Sequence, residues 1–328
     1  MKRLILIFLI LFMICGLKAE LSNIDPNFYG YDARAMAMGG AFVSLSDRPT
    51  SVIWNPAGLN MMKGEHNIAF DNSTYLKLIA YNFYGYGHKL NEKISLAGCL
   101  TYSGDRALSE ITLFLSGAVN GTMFVQESSN YYVLLKKIDI GLNLKYYGNT
   151  FGNNDDGIFI DENGLNHQVT GTSSGFGIDL GLLTRISTGH KIGLLWRNPL
   201  TNITWKSENE IGTAQGKYSE SYPPALVFGY SYDMKNTAFS LDLDKSIYSD
   251  TDDKIKSGLE YRLFKNIFAL RTGYSQELFT ANNKKLSFGT GFNFKIWKQT
   301  TVSFDLAYQV IYEWEGHNVL RISCNLIR

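Results

Sequence analysis

The chain is poor in the residues that staple or clamp a protein together. Only three of its 328 residues are cysteine. Cys99 and Cys324 are the two beyond the first twenty residues, too few for a disulfide framework and in no metal-ligand spacing. Proline is scarce as well, at six residues. Charge of one sign is missing: 31 basic residues stand against 30 acidic, and removing Lys2, Arg3 and Lys18 with a leader leaves 28 against 30. Nothing in that balance attracts nucleic acid. The longest apolar run, Leu4 to Cys15, falls short of the ~20 residues that a membrane-spanning helix needs. The five histidines, at 66, 88, 167, 190 and 317, fall at expected strand ends or in loops and outline no nucleophile and base. No motif binds a metal or cradles a phosphate. The sequence therefore points to no enzyme and to no cofactor.

What is abundant is aromatic residues and glycine: 20 Tyr, 20 Phe and 31 Gly, a composition of many strands and tight turns. The amino terminus reads as a cleaved signal peptide over residues 1–19. Lys2-Arg3 precedes the apolar run, and Ala19 precedes Glu20. Leu17 is larger than the usual residue at that position. A lipoprotein reading at Cys15-Gly16 is disfavoured by the bulky Met13 and Ile14.

From His66 onward, apolar and polar residues alternate in stretches of about ten, the period of a strand with one apolar and one polar face. Phe176, Ile178, Leu180 and Leu182 oppose Asp179 and Gly181. Phe239, Leu241 and Leu243 oppose Asp242 and Asp244, and Leu259 and Tyr261 oppose Glu260 and Arg262. Fourteen strands are expected, near 65–73, 75–88, 92–104, 121–136, 138–150, 174–187, 189–199, 222–234, 236–247, 253–264, 266–277, 284–296, 299–311 and 317–327. A soluble β-sandwich also alternates, so loop lengths decide. The connections at 89–91, 137, 188, 235, 265 and 297–298 are tight, whereas those at 105–120, 151–173 and 200–221 are long and polar. Such sorting is a property of outer-membrane barrels, short-turned at the periplasmic end and long-looped outside. The expected fold is an all-β, 14-stranded antiparallel transmembrane barrel at residues 65–328, exported to the outer membrane and in contact with its lipid.

Lys235-Asn236 and Lys265-Asn266 fit two-residue hairpin turns, and the second places Glu260 across from Arg271 on the lumen face. That pair reads as structural more readily than as a selectivity element. Asp242 and Asp244 share a strand face and can in principle hold a divalent cation, although solvation of a polar lumen is the plainer role for them and for Asp179. In the third strand, Ala97-Gly98-Cys99 is a run of small residues where a wall opening is conceivable, and simple packing of small side chains is the stronger reading. Asp155-Asp156 and Asp161-Glu162 give the middle outer loop an acidic character.

Residues 31–60, YDARAMAMGGAFVSLSDRPTSVIWNPAGLN, stand apart from the strands. Small residues and the Gly39-Gly40 pair permit close packing or a sharp bend, and Trp54-Asn55-Pro56-Ala57-Gly58-Leu59 is a turn-forming cluster. A lumen of fourteen strands is wide enough to be water-filled or plugged, so residues 20–64 are expected to form a hatch inside it. Ala33–Val43, Ser46-Asp47 and Asn55–Leu59 together resemble the amino-terminal signature of the FadL-type barrels, especially their PorV/PorQ-like branch. Gly177-x-Asp179-x-Gly181-Leu182-Leu183, Pro223-Pro224 before Leu226–Tyr232, Gly258-Leu259-Glu260-Tyr261 and Leu270-Arg271-x-Gly273-Tyr274 continue the likeness. The chain departs from it in ending Leu326-Ile327-Arg328 rather than on an aromatic residue.

The resemblance implies a hatched barrel with Gly39, Gly40, Asp47, Asn55, Pro56, Ala57 and Gly58 as structural or gating residues. It also implies a transporter of hydrophobic, fatty-acid-like small molecules. The alternative is a protein-interaction barrel whose partners are secretion-system proteins of the type IX kind. A continuous apolar pocket between hatch and wall favours transport, and a lumen packed shut beneath an apolar loop surface favours the interaction role.

Overall fold

The computed structural model describes residues 20–21, 30–75, 79–105, 107–152, 168–209, 215–247, 252–278, 284–297, 299–312 and 318–328. The expected signal peptide and the acidic pairs of the middle loop lie outside them. No helix among the described residues is long and apolar enough to cross a membrane.

Strand pairing is the main organising force. The ring consists of β2 (His66–Tyr75), β3 (Ile79–Asn91), β4 (Ile94–Gly104), β5 (Leu108–Asn120), β6 (Ile138–Phe151), β7 (Val169–Ser187) and β8 (His190–Asn209). It continues with β10 (Ala225–Asp233), β11 (Thr237–Ser246), β12 (Lys254–Leu263), β13 (Phe268–Glu277), β14 (Lys285–Trp297), β15 (Thr300–Ile311) and β16 (Val319–Ile327). Each pairs antiparallel with the next, β8 with β10, and β16 closes onto β2, so the ring has fourteen strands and no free edge. Two strands lie outside it: β9 (Gln215–Ser221) lengthens β8 as a hairpin, and β1 (Glu20–Leu21) pairs parallel with β9.

The alternation read from sequence points as expected. Phe176, Phe228, Phe239, Leu243, Leu259 and Leu270 are exposed on the outside, while Asp179, Asp242, Glu260 and Arg271 are buried inside. One strand is displaced. Residues 121–136 are not a strand; β5 is Leu108–Asn120, its Ile111, Leu113 and Leu115 outward and its Thr112, Phe114 and Ser116 inward. The connection at 105–107 is short, and 121–137 forms a 3-10 turn (Gly121–Phe124) and the one-turn helix α3 (Tyr132–Leu135). The polar stretch Gln126–Asn130 breaks the two-residue period there. Asn120 ties the segment shut: its Oδ1 accepts from Thr122 N at 3.2 Å, and its Nδ2 donates to Lys136 O and Ile138 O, both at 3.1 Å. The expected loop at 200–221 is likewise largely the β8–β9 hairpin. The turn after β12 takes four residues rather than two, with Phe264, Lys265 and Asn266 all at positive φ.

Residues 30–62 run through the lumen as α1 (Ala33–Ala37), α2 (Ser51–Trp54) and a 3-10 turn (Pro56–Met61). Nearly all are buried. Tyr31, Phe42, Trp54, Leu59 and Met62 form the main apolar core together with inward residues of the wall, among them Phe83, Cys99 and Phe114.

Candidate functional site

The hatch is seated where the wall has no side chains. A methyl group on Gly193 would lie 2.6 Å from Val43 O, and one on Gly258 would lie 2.6 Å from Met38 O. Gly141, Gly181, Gly273 and Gly289 face the hatch just as closely, against Ala57, Asn55, Gly39 and Ala37. The hatch reciprocates at Gly39. Its φ is +66°, and a Cβ would lie 2.6 Å from Tyr274 N, so both backbone shape and space require glycine. Asn55 explains the turn motif that follows. Its Oδ1 accepts from Ala57 N at 3.1 Å, and its Nδ2 donates to Val43 O at 3.0 Å and to the wall at Leu182 O, 3.1 Å. Pro56 stands at the first position of the 3-10 turn, where no N–H is needed. Gly58 packs directly on Ser46.

Charge locks the opposite side. Three hatch residues, Arg34, Asp47 and Arg48, and three wall residues, Glu260, Arg271 and Asp305, form a closed ring of alternating sign. Arg34 meets Asp47 at 3.0 Å and Glu260 at 2.8 Å; Arg271 meets Glu260 and Asp305 at 2.7 Å each; Arg48 meets Asp305 at 2.9 Å and Asp47 at 3.6 Å. Asp32 joins from the hatch, accepting from Thr50 Oγ1 at 2.7 Å and Arg48 Nη1 at 3.3 Å. Burial opposes the charge on Asp47, but the Arg34 and Arg48 guanidinium groups outweigh it and hold the carboxyl below its ordinary value. Burial likewise opposes the charge on Arg34, and Asp47 and Glu260 overcome it and raise its pKa.

The other lumen carboxylates are also committed to protein groups. Asp242 accepts from Phe42 N at 2.8 Å and Val43 N at 3.0 Å, anchoring the hatch, while Asp244 holds Lys256 at 2.9 Å. They do not converge on a shared cation. The groups that do converge lie at the strand ends near residue 65, where ligand atoms of Glu65, His66 and His88 fall within 4.8 Å of one another. There His66 Nδ1 is already 2.8 Å from Tyr86 Oη and 3.1 Å from His88 Nδ1.

Asp179 sits behind an irregularity in the wall. Register slips between Ile178 and Leu180 opposite Asn198-Pro199. Proline has no N–H for the ladder, Asn198 adopts φ 50°, and Asn198 N donates to Asp179 Oδ1 at 2.9 Å instead of to a strand. Lys145 Nζ meets the same oxygen at 2.7 Å. On the other edge of β8, pairing with β10 stops at Arg197 and pairing with β9 starts at Ile203. The weakest stretch of the described wall is therefore here, not at Ala97–Cys99, where β4 pairs continuously on both sides. Pro199 within an apolar run was the available sequence signal for it. Arg34, Arg48, Lys145 and Asp305 escaped the sequence reading, because only the fold shows their partners.

Two spaces flank the hatch, and they are unequal. At the loop end a pocket of about 80 Å³ lies between Met36, Gly40, Ile53 and Trp54 of the hatch and a charged wall that includes Arg197, Asp244, Lys254, Lys256, Glu277 and Lys285. At the end carrying the chain terminus, a cavity of about 820 Å³ lies beneath the ion ring, with Lys63, Lys191, Arg262, Lys265 and Lys295 in its lining. Neither is the continuous apolar pocket between hatch and wall that favours transport.

No family model matches the chain, and no curated protein does. Solved structures do. The CymD monoaromatic hydrocarbon channel matches with a TM-score of 0.60 at 15% identity, over 92% of this chain and 97% of that one. The Pseudomonas putida toluene transporter TodX matches with a TM-score of 0.57 at 13% identity, over 94% and 98%. A Pseudomonas aeruginosa FadL homologue matches with a TM-score of 0.57 at 9% identity, over 90% and 97%. These matches do not show the PorV/PorQ-like branch. At these identities what is shared is the fold, and it is shared along nearly the whole of both chains: this chain folds as a FadL-type barrel.

Proposed function

We propose that the chain is an outer-membrane transporter of hydrophobic small molecules, with residues 1–19 as a cleaved leader, 20–64 as the hatch and 65–328 as the barrel. The observation that carries this reading is the fold, shared along nearly the whole chain with hydrocarbon and toluene channels. A hatch keyed to the wall by backbone contacts and a buried ion ring is ill suited to passing hydrated solutes. The fold is that of proteins named as hydrocarbon and toluene channels, which supports a cargo of low polarity. Cargo enters beside Ile53 and Trp54 at the loop end, the hatch moves, and release follows into the larger space below or through the wall near Asn198-Pro199. Gly39, Gly40, Asp47, Asn55, Pro56, Ala57 and Gly58 are the gating residues, and they act by fixing the seated position. The secretion-partner alternative is not favoured by these channel-like neighbours.

A lock tests the idea. A Cβ on Gly229 would stand 3.0 Å from Val43 Cβ and 2.6 Å from Asp242 Oδ1, so a disulfide forms here once Val43 and the Asp242 carboxylate move apart from it by several tenths of an ångström. In a Cys99→Ser/Cys324→Ser background, the Val43→Cys/Gly229→Cys chain should take up radiolabelled toluene or oleate when reduced, and lose that uptake when oxidised. Uptake no greater than that of cells lacking the chain, or uptake indifferent to the lock, would sink the proposal.

A further inference from the structure

The segment that replaces the expected strand at 121–136 has an unusual surface. All other described connections at this end take two to four residues, whereas this one exposes five large apolar side chains: Met123, Phe124, Tyr131, Val133 and Leu134, the last two 72% and 59% accessible. Beside it opens a cavity of about 770 Å³ lined by Lys93, Lys136, Lys137 and Arg185, with Glu92 as its one carboxylate. Glu92 is already engaged by Lys89 at 3.1 Å. Arg185 rests on Asp139 at 2.8 Å and on Lys136 O at 3.2 Å. Lys93 and Lys136 form no ion pair among the described residues. The cavity therefore carries an uncompensated positive charge.

Neither half of this surface is well served by water alone. Exposed apolar side chains gain by leaving water, and clustered ammonium groups attract an anion. The cavity also borders an exposed apolar residue of the barrel wall, Ile186 at the end of β7. An anion that brings its own acyl chains satisfies all three observations together. We propose that segment 121–137 is an interfacial foot that binds an anionic glycerophospholipid of the adjoining leaflet. The phosphate sits among Lys93, Lys136, Lys137 and Arg185, and the acyl chains lie along Met123, Phe124, Val133 and Leu134. This rests on the membrane-spanning reading above.

The test is native mass spectrometry of the full chain in detergent, with phosphatidylglycerol or phosphatidylcholine added. The wild-type barrel should retain one phosphatidylglycerol in preference to phosphatidylcholine. Retention should fall roughly tenfold or more in Lys93→Gln/Lys136→Gln/Lys137→Gln and fall also in Val133→Ser/Leu134→Ser. It should be unchanged in Lys217→Gln, on β9 at the far end. Heat-modifiable migration on gels confirms that each variant is a folded barrel. Millimolar inorganic phosphate should leave the lipid in place. Displacement by free phosphate would reduce the site to an anion site, and equal retention of both lipids in all variants would overturn it. Failure of the membrane reading is distinguishable, because the chain would then insert into no bilayer at all.

Discussion

The hatch is held by two kinds of wall. Toward β3, β4 and β5 it meets Tyr81, Phe83, Cys99 and Phe114 mainly through apolar contact, with hydrogen bonds from Cys99 Sγ to Pro49 O at 3.7 Å and between Tyr31 and Thr101 as the polar additions. Toward β12, β13 and β15 it meets Glu260, Arg271 and Asp305 through the ion ring. Apolar contact is graded and non-directional, so it tolerates sliding. A buried ion pair is all or nothing, because losing one partner leaves a charge stranded in low dielectric. The ring also borders the 820 Å³ cavity, so it is the side that water can reach first. The difference assigns holding to one side and position to the other.

Three perturbations separate these roles. The largest effect is expected from Glu260→Gln, which opens the ring and leaves Arg34 with Asp47 and Arg271 with Asp305 as their remaining carboxylates. Chemical denaturation should show a loss of about 3–5 kcal/mol, and hatch residues 33–61 should become cleavable by protease while the barrel stays closed. Phe83→Ala should cost about 3 kcal/mol without releasing the hatch at the ring, and the loss should be the same at low and high salt. Equal hatch release by both substitutions would erase the distinction. The smallest effect is acid. Asp47 has its carboxyl held below the ordinary 3.8, so its contribution is complete above that pH and disappears as pH falls through the depressed value. Protection of the hatch from hydrogen exchange should weaken below about pH 4 in the native chain and change less in Asp47→Asn.

Much of the barrel was legible because a strand's two faces are written two residues apart. Leu259 and Tyr261 outward and Glu260 inward follow from period alone, and the Glu260–Arg271 register follows from counting out of the turn, although that turn is longer than a two-residue hairpin. The miss at 121–136 has the same root. Met123-Phe124-Val125 and Tyr131–Leu135 are as apolar as a strand, and nothing local says that Asn120 closes the segment with side-chain hydrogen bonds. The hatch was legible as a segment, from its small residues and the Asn55–Leu59 turn. Its fastening was not: Arg34 and Glu260 are 226 positions apart, and no pattern within either neighbourhood names the other.

The bare backbone beneath the hatch has one more consequence. Glycines at 141, 181, 193, 258, 273 and 289 are a mould taken from the hatch, with no side chains of their own to swing inward. Among the described residues, these six wall positions supply no second closure. At those positions, closure of the bore rests on the hatch alone, about thirty residues of seated chain.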